Sequence, residues 1–244
     1  MNAALRAADC LVADAWLTHT LARPVFSLRP PLPSSASSIR HVLRDAAGDA
    51  RAFFFAKLGI GQTNELHALL EAGFRLIDVQ LSFQWRDGEG QPSVPVRLAN
   101  ASDHGRVLRI AASAFEHSRF HRDPHIGREA ANRLKERWAQ NCLEGRRGTE
   151  VLVAGAGEAA GFLAVSVAGE GKATSAVIDL IAVARECQGR GVGRSLVHAF
   201  VARWRDRAGA LAVGTQATNS ASIRLYQACG FGFRDAAYIA HAHP

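Results

Sequence analysis

Lysine is scarce in this chain. Of 29 basic residues only Lys57, Lys135 and Lys172 are lysines, so the formal charge of +7 is carried by arginine. The arginines are scattered, with no basic tail, and aromatic residues make up only 7% of the chain. Nucleic-acid binding asks for a dense basic stripe interleaved with aromatics, and no nucleic-acid partner is expected. Arginine heads fork onto phosphates and carboxylates. The excess therefore suits an anionic small molecule such as CoA or a nucleotide sugar, or it reflects the composition bias of a chain rich in Ala and Arg. No run of about 18 apolar residues occurs, so no membrane partner is expected. The opening stretch carries Asp9 and Asp14 and lacks the apolar core of a secretory signal. Cys10, Cys142, Cys187 and Cys229 are far apart and form no C-x-x-C motif. A reduced, cytoplasmic setting is the expectation.

What is present is ordinary globular material, 48% hydrophobic and 21% charged. The segment Asp87-Gly88-Glu89-Gly90-Gln91-Pro92 reads as a linker and divides the chain into 1–91 and 92–244. In the first part, strands are expected over 24–28, 53–58 and 75–85, the last with Ile77, Val79, Leu81, Phe83 and Trp85 alternating. Ser34 to Ser38 offer caps for a helix over 39–45. Thr63 or Asn64 caps another that runs to Ala72 and is ended by Gly73, with Leu66, Leu69 and Leu70 on one face. In the second part, 94–98 is an edge strand because Pro95 lacks an N–H. Ser102 or Asp103 caps a helix carrying Val107 to Phe115, 118–127 is a loop, and 128–143 is a helix. Strands follow over 150–154, 161–168 and 175–183, with a turn over 169–172. A glycine-rich start at 189–193 opens a helix bearing Leu196, Val197, Phe200, Val201 and Trp204. Then come a strand over 210–216, a helix over 219–229 ended by Gly230, and a strand over 231–241. Antiparallel strands leading into strand–helix–strand units predict a mixed α/β (α+β) sheet.

The segment 188–193, Gln188-Gly189-Arg190-Gly191-Val192-Gly193, follows a hydrophobic strand and opens a helix. Glycines let successive N–H groups converge, and a helix start adds free donors and a positive dipole end. Such a place binds a phosphate. A Walker A loop needs Lys-Ser/Thr after its last glycine, but Arg194 follows Gly193, and no start satisfies G-x-G-x-x-G. The segment does fit Q/R-x-x-G-x-G/A. Downstream, Asn219, Ala221, Tyr226 and Gly230-Phe231 fit N-x-x-A-x-x-x-Y-x-x-x-G-F within a residue or two. Together these motifs resemble the two signatures of the GNAT acetyltransferases, and the resemblance covers 94–244.

The resemblance implies a GNAT fold in which the strands over 175–183 and 210–216 splay apart to admit the pantetheine arm of acetyl-CoA. Backbone groups of Ile181, Ala182 and Val183 would hold the pantetheine and polarise the thioester carbonyl, as an oxyanion hole does. Amides of Gln188, Gly189, Arg190, Gly191, Val192, Gly193 and Arg194 would hold the pyrophosphate, with Asn219 at the second signature. The family's reaction is direct attack of an amine on the thioester, which suits a sequence without an evident Ser-His-Asp set. Tyr226 stands at the family's position for the acid that protonates the departing thiolate; its alternative is core packing. Asp179 stands where many members carry an acid. By alternation it shares a face with Val177 and Ile181, and it either relays a proton or pairs with an arginine. His117, His121 and His125 recur at i, i+4 and i+8 around Asp123, but Pro124 interrupts the spacing, and no metal is expected.

Three further segments resemble the TDP-fucosamine acetyltransferase family: Ala114-Phe115-Glu116-His117-Ser118-Arg119-Phe120, the stretch 64–74 beginning Asn64-Glu65-Leu66, and Thr215-Gln216-Ala217-Thr218-Asn219. This implies a small-molecule amine acceptor, a nucleotide-linked 4-amino-4,6-dideoxy sugar, with Arg119 and His121 as substrate-binding residues or else as parts of a solvated loop. A protein or peptide N-acetyltransferase and a non-catalytic acyl-CoA sensor are the alternatives, and a homodimer is left open. An internal echo is also visible: Asn64, Leu69 and Gly73-Phe74 mirror Asn219, Tyr226 and Gly230-Phe231. The first domain then resembles half a GNAT fold. Leu69 stands in the tyrosine's place and no glycine loop precedes it, so that domain is expected to be non-catalytic.

Overall fold

In a computed structural model that describes residues 10–169 and 174–244, strands and helices alternate along most of the chain. The elements are β1 (Leu11–Ala13), α1 (Ala15–Leu21), β2 (Val25–Leu28), α2 (Ala36–Ala47), β3 (Phe53–Gly59), α3 (Thr63–Glu71), β4 (Arg75–Trp85) and β5 (Val96–Leu98). They continue with α4 (His104–Ala114), α5 (Arg119–Arg122), α6 (Arg128–Leu143), β6 (Glu150–Ala154), β7 (Gly161–Ala168) and β8 (Ser175–Val183). The last are α7 (Val192–Trp204), β9 (Ala210–Gln216), α8 (Ser220–Ala228) and β10 (Phe231–Ala242). The strands make one mixed sheet in the order β1-β2-β3-β10-β4-β9-β8-β7-β6-β5, so β5 is the edge strand that Pro95 predicts. The expected turn over 169–172 and the reading of residues 1–9 lie largely outside the described residues.

The chain divides into two compact units. The first comprises 1–80, 122–127 and 235–244; the second comprises 81–121 and 128–234. Neither is contiguous: the first takes in 122–127, which interrupts the second, and β4 and β10 each supply residues to both. In the first unit β2 and β3 pair in parallel, and β10 pairs antiparallel with β3. Leu28, Ile39, Leu43, Phe54, Leu58, Leu66, Leu69 and Phe74 fill its core. In the second unit β5 to β8 are antiparallel and β8 pairs in parallel with β9. One face of that sheet packs Leu152, Leu163 and Ile178 against Leu196, Phe200 and Trp204 of α7 and Tyr226 of α8. The other packs Val151, Phe162 and Leu180 against Val107 and Ile110 of α4 and Ala139 and Cys142 of α6. No helix among the described residues is long and apolar enough to cross a membrane.

Several local expectations are corrected. Of the two expected caps after β5, Asp103 does hold the N-cap position of α4, but without a side-chain cap bond, and Ser102 lies within the 3₁₀ turn (Ala101–Asp103) that precedes it. Asn100 caps a 3₁₀ turn with a full capping box, and the Asp103 carboxylate is gripped by both Nη atoms of Arg97 at 2.6 and 2.8 Å. Thr63 lies inside α3, and Gln62 precedes it as a cap residue with no side-chain bond to the helix, its Oε1 accepting instead from the Gly59 N–H at 2.9 Å. Leu70 is 38% exposed while Leu66 and Leu69 are buried, because one turn separates the inward positions of so short a helix. The stretch 118–127 holds the single turn α5. The glycine-rich segment 87–92 lies inside the second unit and is packed there. A side chain at Gly90 would run into the His198 ring, and Ser195 Oγ accepts from the N–H groups of Ser93 and Val94 at 3.1 Å each.

Candidate active site

Two parallel strands that part company frame the site. β8 and β9 pair from Ser175 opposite Ala210 to Ile178 opposite Val213. Among the described residues no pairing follows, although the strands continue to Val183 and Gln216. On its other side β8 stays paired with β7 as far as Val183 opposite Gly161. Backbone groups of 179–183 that turn away from β7 therefore have no β9 partner. Buried N–H and C=O groups are rarely left so, and a ligand with amide groups of its own suits the gap.

The end of β8 leads through a 3₁₀ turn (Arg185–Cys187) into the glycine loop. Gln188 ties the loop to the strand, its Nε2 donating to the Val183 carbonyl at 3.3 Å. Gly189 and Gly191 take φ of 74° and 79°, the left-handed region that side chains disfavour. Gly191 is the N-cap of α7, and no side chain among the described residues caps the helix. The amides of Val192, Gly193 and Arg194 thus have no intrahelical acceptor. They form a positive cradle of donors at a helix start, where an anion binds. A Cβ at Gly189 would meet nothing within 4 Å, so that side of the loop is open. This chain's residues fit a pyrophosphate-bearing ligand. Asn219 has a different task in the structure: its side chain accepts from the Ser222 N–H at 3.1 Å and caps α8.

Tyr226 sits on α8, 2% exposed, with its ring against those of Phe83 and Phe231. Burial pushes the phenol above its ordinary value, and a hydrogen bond with the Ser222 side chain opposes that rise. The hydroxyl is held protonated throughout the neutral range.

Asp179 departs from simple alternation. Val165 pairs with Ile178 and Ala164 with Leu180, so Asp179 is the extra residue of a β-bulge. The bulge reverses the phase of the strand: Ile178 and Ile181 pack on the α7 face, Leu180 on the α4–α6 face. The expected common face of Asp179 and Ile181 is thereby lost. Asp179 joins the α6 side, where its Oδ2 accepts from Trp138 Nε1 at 2.8 Å and Arg147 Nε at 2.7 Å, and its Oδ1 from Arg147 Nη2 at 3.1 Å. Of the two sequence alternatives the geometry matches the arginine pair.

Beside it stands a residue that sequence reasoning did not single out. Lys135 of α6 is only 8% exposed, with its ammonium over the rings of Phe115 at 4.8 Å and Trp138 at 4.6 Å. Burial, together with the charges of Arg119 and Arg147, lowers its pKa to about 8, and Asp179 opposes the shift. The available signal was a lysine inside the buried stripe of Ala131, Leu134, Ala139 and Cys142. Arg119, at the start of α5, lies over the Phe120 ring. His121 is fully engaged: Nδ1 meets Ser118 Oγ at 2.6 Å and Nε2 meets Asn132 Oδ1 at 2.9 Å. Burial keeps its pKa low, helped by Lys135 and Arg128 and opposed by the Asn132 bond and by Glu116.

With this geometry in place, residues 106–231 match the Acetyltransferase (GNAT) family. The chain is 30% identical over 197 residues to the dTDP-fucosamine acetyltransferase of Escherichia coli O6:H1, covering 75% of this chain and 78% of that one. It is 29% identical over 143 residues to the spore coat polysaccharide biosynthesis protein SpsD of Bacillus subtilis (strain 168). That match takes in 58% of this chain and 48% of the relative, so the chain spans about half of SpsD. Among solved structures, a tandem GNAT protein from the clavulanic acid biosynthesis pathway superposes with a TM-score of 0.60 at 17% identity, over 91% of this chain and 75% of that one. The last is a likeness of fold.

Proposed function

Because this chain belongs to the acetyltransferase (GNAT) family, we propose that it moves the acetyl group of acetyl-CoA to a primary amine by direct attack. The acceptor in this reading is a nucleotide-linked 4-amino-4,6-dideoxy sugar. The observation that carries the acetyl-transfer reading is the parting of β8 from β9 beside an uncapped, glycine-built helix start. The acceptor rests on the relative of 30% identity that is named a dTDP-fucosamine acetyltransferase. Catalysis belongs to residues 92–244, and residues 1–91 supply none of its groups. The setting is cytoplasmic.

Acetyl-CoA supplies an acetyl group activated as a thioester. Amides of the glycine loop, from Gln188 to Arg194, hold its pyrophosphate, and the backbone of Ile181 to Val183 lines the pantetheine arm and polarises the carbonyl. Asn219 fixes the start of the helix that carries Tyr226. The acceptor nitrogen forms its bond to the carbonyl carbon as the carbon–sulfur bond breaks. Tyr226 gives its proton to the departing sulfur, the nitrogen sheds one to solvent, and the phenolate takes one back from solvent, so that amine and thioester become amide and thiol with Tyr226 restored. Alignment of the two reactants provides much of the rate. Asp179 acts by orienting Trp138 and Arg147, and the reaction proceeds without a dedicated base. Arg119 meets a phosphate or sugar oxygen of the acceptor, and His121 holds the α5 turn in place.

The test is CoA thiol release from acetyl-CoA with a TDP-4-amino-4,6-dideoxyhexose, beside a basic peptide. Release with the sugar alone is the expected result. Release with the peptide alone would retain acetyl transfer and discard the sugar. Silence with both would leave acyl-CoA binding without turnover.

A further inference from the structure

Among the described residues, three potential metal-ligating side chains come together within the first unit. Asp123 follows α5, His241 lies near the end of β10, and His243 stands just beyond it. Their potential ligand atoms all lie within 4.8 Å of one another. Residues two apart on a strand face the same way, so the His241-Ala242-His243 run delivers both imidazoles to one side. The Asp123 carboxylate is 1% exposed, and its Oδ2 meets His241 Nδ1 at 2.6 Å and His243 Nε2 at 2.8 Å.

The surroundings hold these groups in one geometry. The backbone N–H of His125 donates to Asp123 Oδ1 at 2.9 Å and fixes the carboxylate plane. The Phe53 ring stacks flat on His243 and edge-on to His241, each at 4.8 Å between centroids. His243 is nine-tenths buried, yet its Nδ1 has no hydrogen-bond partner among the described residues. A pocket of about 170 Å³ opens on the three side chains, lined also by Gly73, Arg75, Ile77 and His125.

We propose that Asp123, His241 and His243 bind one divalent transition-metal ion of the zinc class, which clips the end of β10 to the 122–127 segment. Two imidazole nitrogens converge on a single carboxylate oxygen, and a cation replaces the protons that now bridge them. Metal–ligand bonds near 2.0–2.1 Å in a tetrahedron put donor atoms about 3.3 Å apart, so to admit the ion each imidazole draws back from the carboxylate by roughly half an ångström while the two histidines, now within 4.8 Å, close on one another. The fourth position faces the pocket, where water or the His125 ring, stacked on His243 at 4.8 Å, completes the shell. Carboxylate orientation by the His125 amide is the outer support that such ligands ordinarily have. Two nearby cations narrow the choice of ion. Arg23 lies over Phe53 and its charge is felt at Asp123, and Arg75 lines the pocket. An ion held by charge alone, such as Mg²⁺ or Ca²⁺, is disfavoured there, whereas nitrogen donors suit Zn²⁺, Co²⁺ or Ni²⁺. The histidine spacing at 117, 121 and 125 pointed away from a metal; the structure assembles a different set, 118 and 120 residues apart along the chain.

The experiment uses the untagged full chain, stripped with a chelator and titrated with Zn²⁺ alone by calorimetry and with Co²⁺ by visible absorption. One equivalent of Zn²⁺, a rise in Tm on its addition, and the intense bands of tetrahedral Co²⁺ are expected. His243→Gln should weaken binding about tenfold or more and erase the bands, while His117→Gln, an exposed control, leaves both unchanged. Asp123→Asn is the stricter variant, and because it sits in the core its far-UV spectrum is recorded alongside. If it does not fold, His243→Gln decides. Uptake well below one equivalent, or equal uptake by the wild-type chain and His243→Gln, would overturn the site. Acetyl transfer is not the readout, so a wrong acceptor leaves this test intact.

Discussion

The two units run the same course and differ at its chemically decisive points. In the first, β2-α2-β3-α3 leads into β4 as a strand–helix–strand–helix–strand path; in the second, β8-α7-β9-α8 leads into β10 in the same way, each closing strand being shared between the units. Both terminal helices are nine residues long and stop at a glycine in the left-handed region, Gly73 at φ 102° and Gly230 at φ 83°. The parallel pair of the first unit is closed along all of β2, Val25 to Leu28, whereas that of the second parts after Ile178. The helix between the strands is capped in the first unit, Ser35 Oγ accepting from the Ser38 N–H at 3.2 Å, and begins bare at Gly191 in the second. Four residues before the glycine stands Leu69 in one, fully buried, and Tyr226 in the other, 2% exposed. A shared path therefore says little about activity. An unpaired strand end, a naked helix start and one hydroxyl separate a structural unit from a proposed catalytic one.

The largest expected effect breaks the comparison at the hydroxyl. Tyr226→Phe makes the second helix as inert as the first, and kcat should fall by about 10²–10⁴ with the KM for acetyl-CoA nearly unchanged, read by steady-state thiol release. Wild-type turnover would return Tyr226 to the role Leu69 plays.

Next in size is the contrast of helix starts. Gly191→Val strains a φ of 79° and approaches Ser93 Oγ, and it should weaken acetyl-CoA binding by roughly 10–100-fold, about 1–3 kcal/mol of lost amide contacts, in calorimetry. Ser35→Ala should instead cost about 1 kcal/mol of stability and leave acetyl-CoA binding alone. If both variants altered stability only, the bare helix start would be no binding feature.

The last contrast, read in stability and not in activity, concerns how each unit treats a buried charge. Asp123 is met by two imidazoles and an amide. Burial opposes its ionisation, but those hydrogen bonds prevail and hold it well below the usual carboxylate range. Lys135 is the reverse case: Asp179 is already gripped by Arg147, and burial lowers the lysine from 10.5 to about 8. Below pH 8 both folded and unfolded chains hold the proton and the folded state bears the penalty; between 8 and 10.5 only the unfolded chain holds it, so stability rises with pH. Lys135→Met should stabilise the protein by about 1–2 kcal/mol at pH 7, the relief of a buried charge less the cation–π contacts it forgoes. That gain should shrink as pH climbs from 8 towards 10.5. A difference in Tm that ignores pH would mean the lysine titrates normally.

What was legible in the sequence was local. The bounds of α6, β6, β7, β8 and β9 coincide with the pattern, because each is strongly periodic or apolar and bracketed by Gly or by caps. The glycine loop and Tyr226 were legible for the same reason, since each motif lies within a dozen residues. β1 and α1 gave no signal: one has three residues, and the other buries only Leu17. The Asn100 cap was hidden because Asp103, which does hold the N-cap position of α4, gives its carboxylate to Arg97 and leaves the preceding 3₁₀ turn to be capped by another residue. The Asp179 network joins residues 32 and 41 apart, and no periodicity reports such a meeting. The H-x-H run at 241–243 was readable as two imidazoles on one strand face, but its carboxylate partner was not.

The bulge at Asp179 means that β8 carries one residue more than its ladder with β7 uses. Removing one residue there would let the ladder with β7 run without interruption. Ile178 would still face Val165 and Leu180 would still face Ala164, so Leu180, Ile181, Ala182 and Val183 would keep the helix layers they now meet, and only the carboxylate that Trp138 and Arg147 hold would be lost. Loss of that one codon is therefore silent for the packing of the strand, whereas a codon gained beyond the bulge would invert every side chain that follows it.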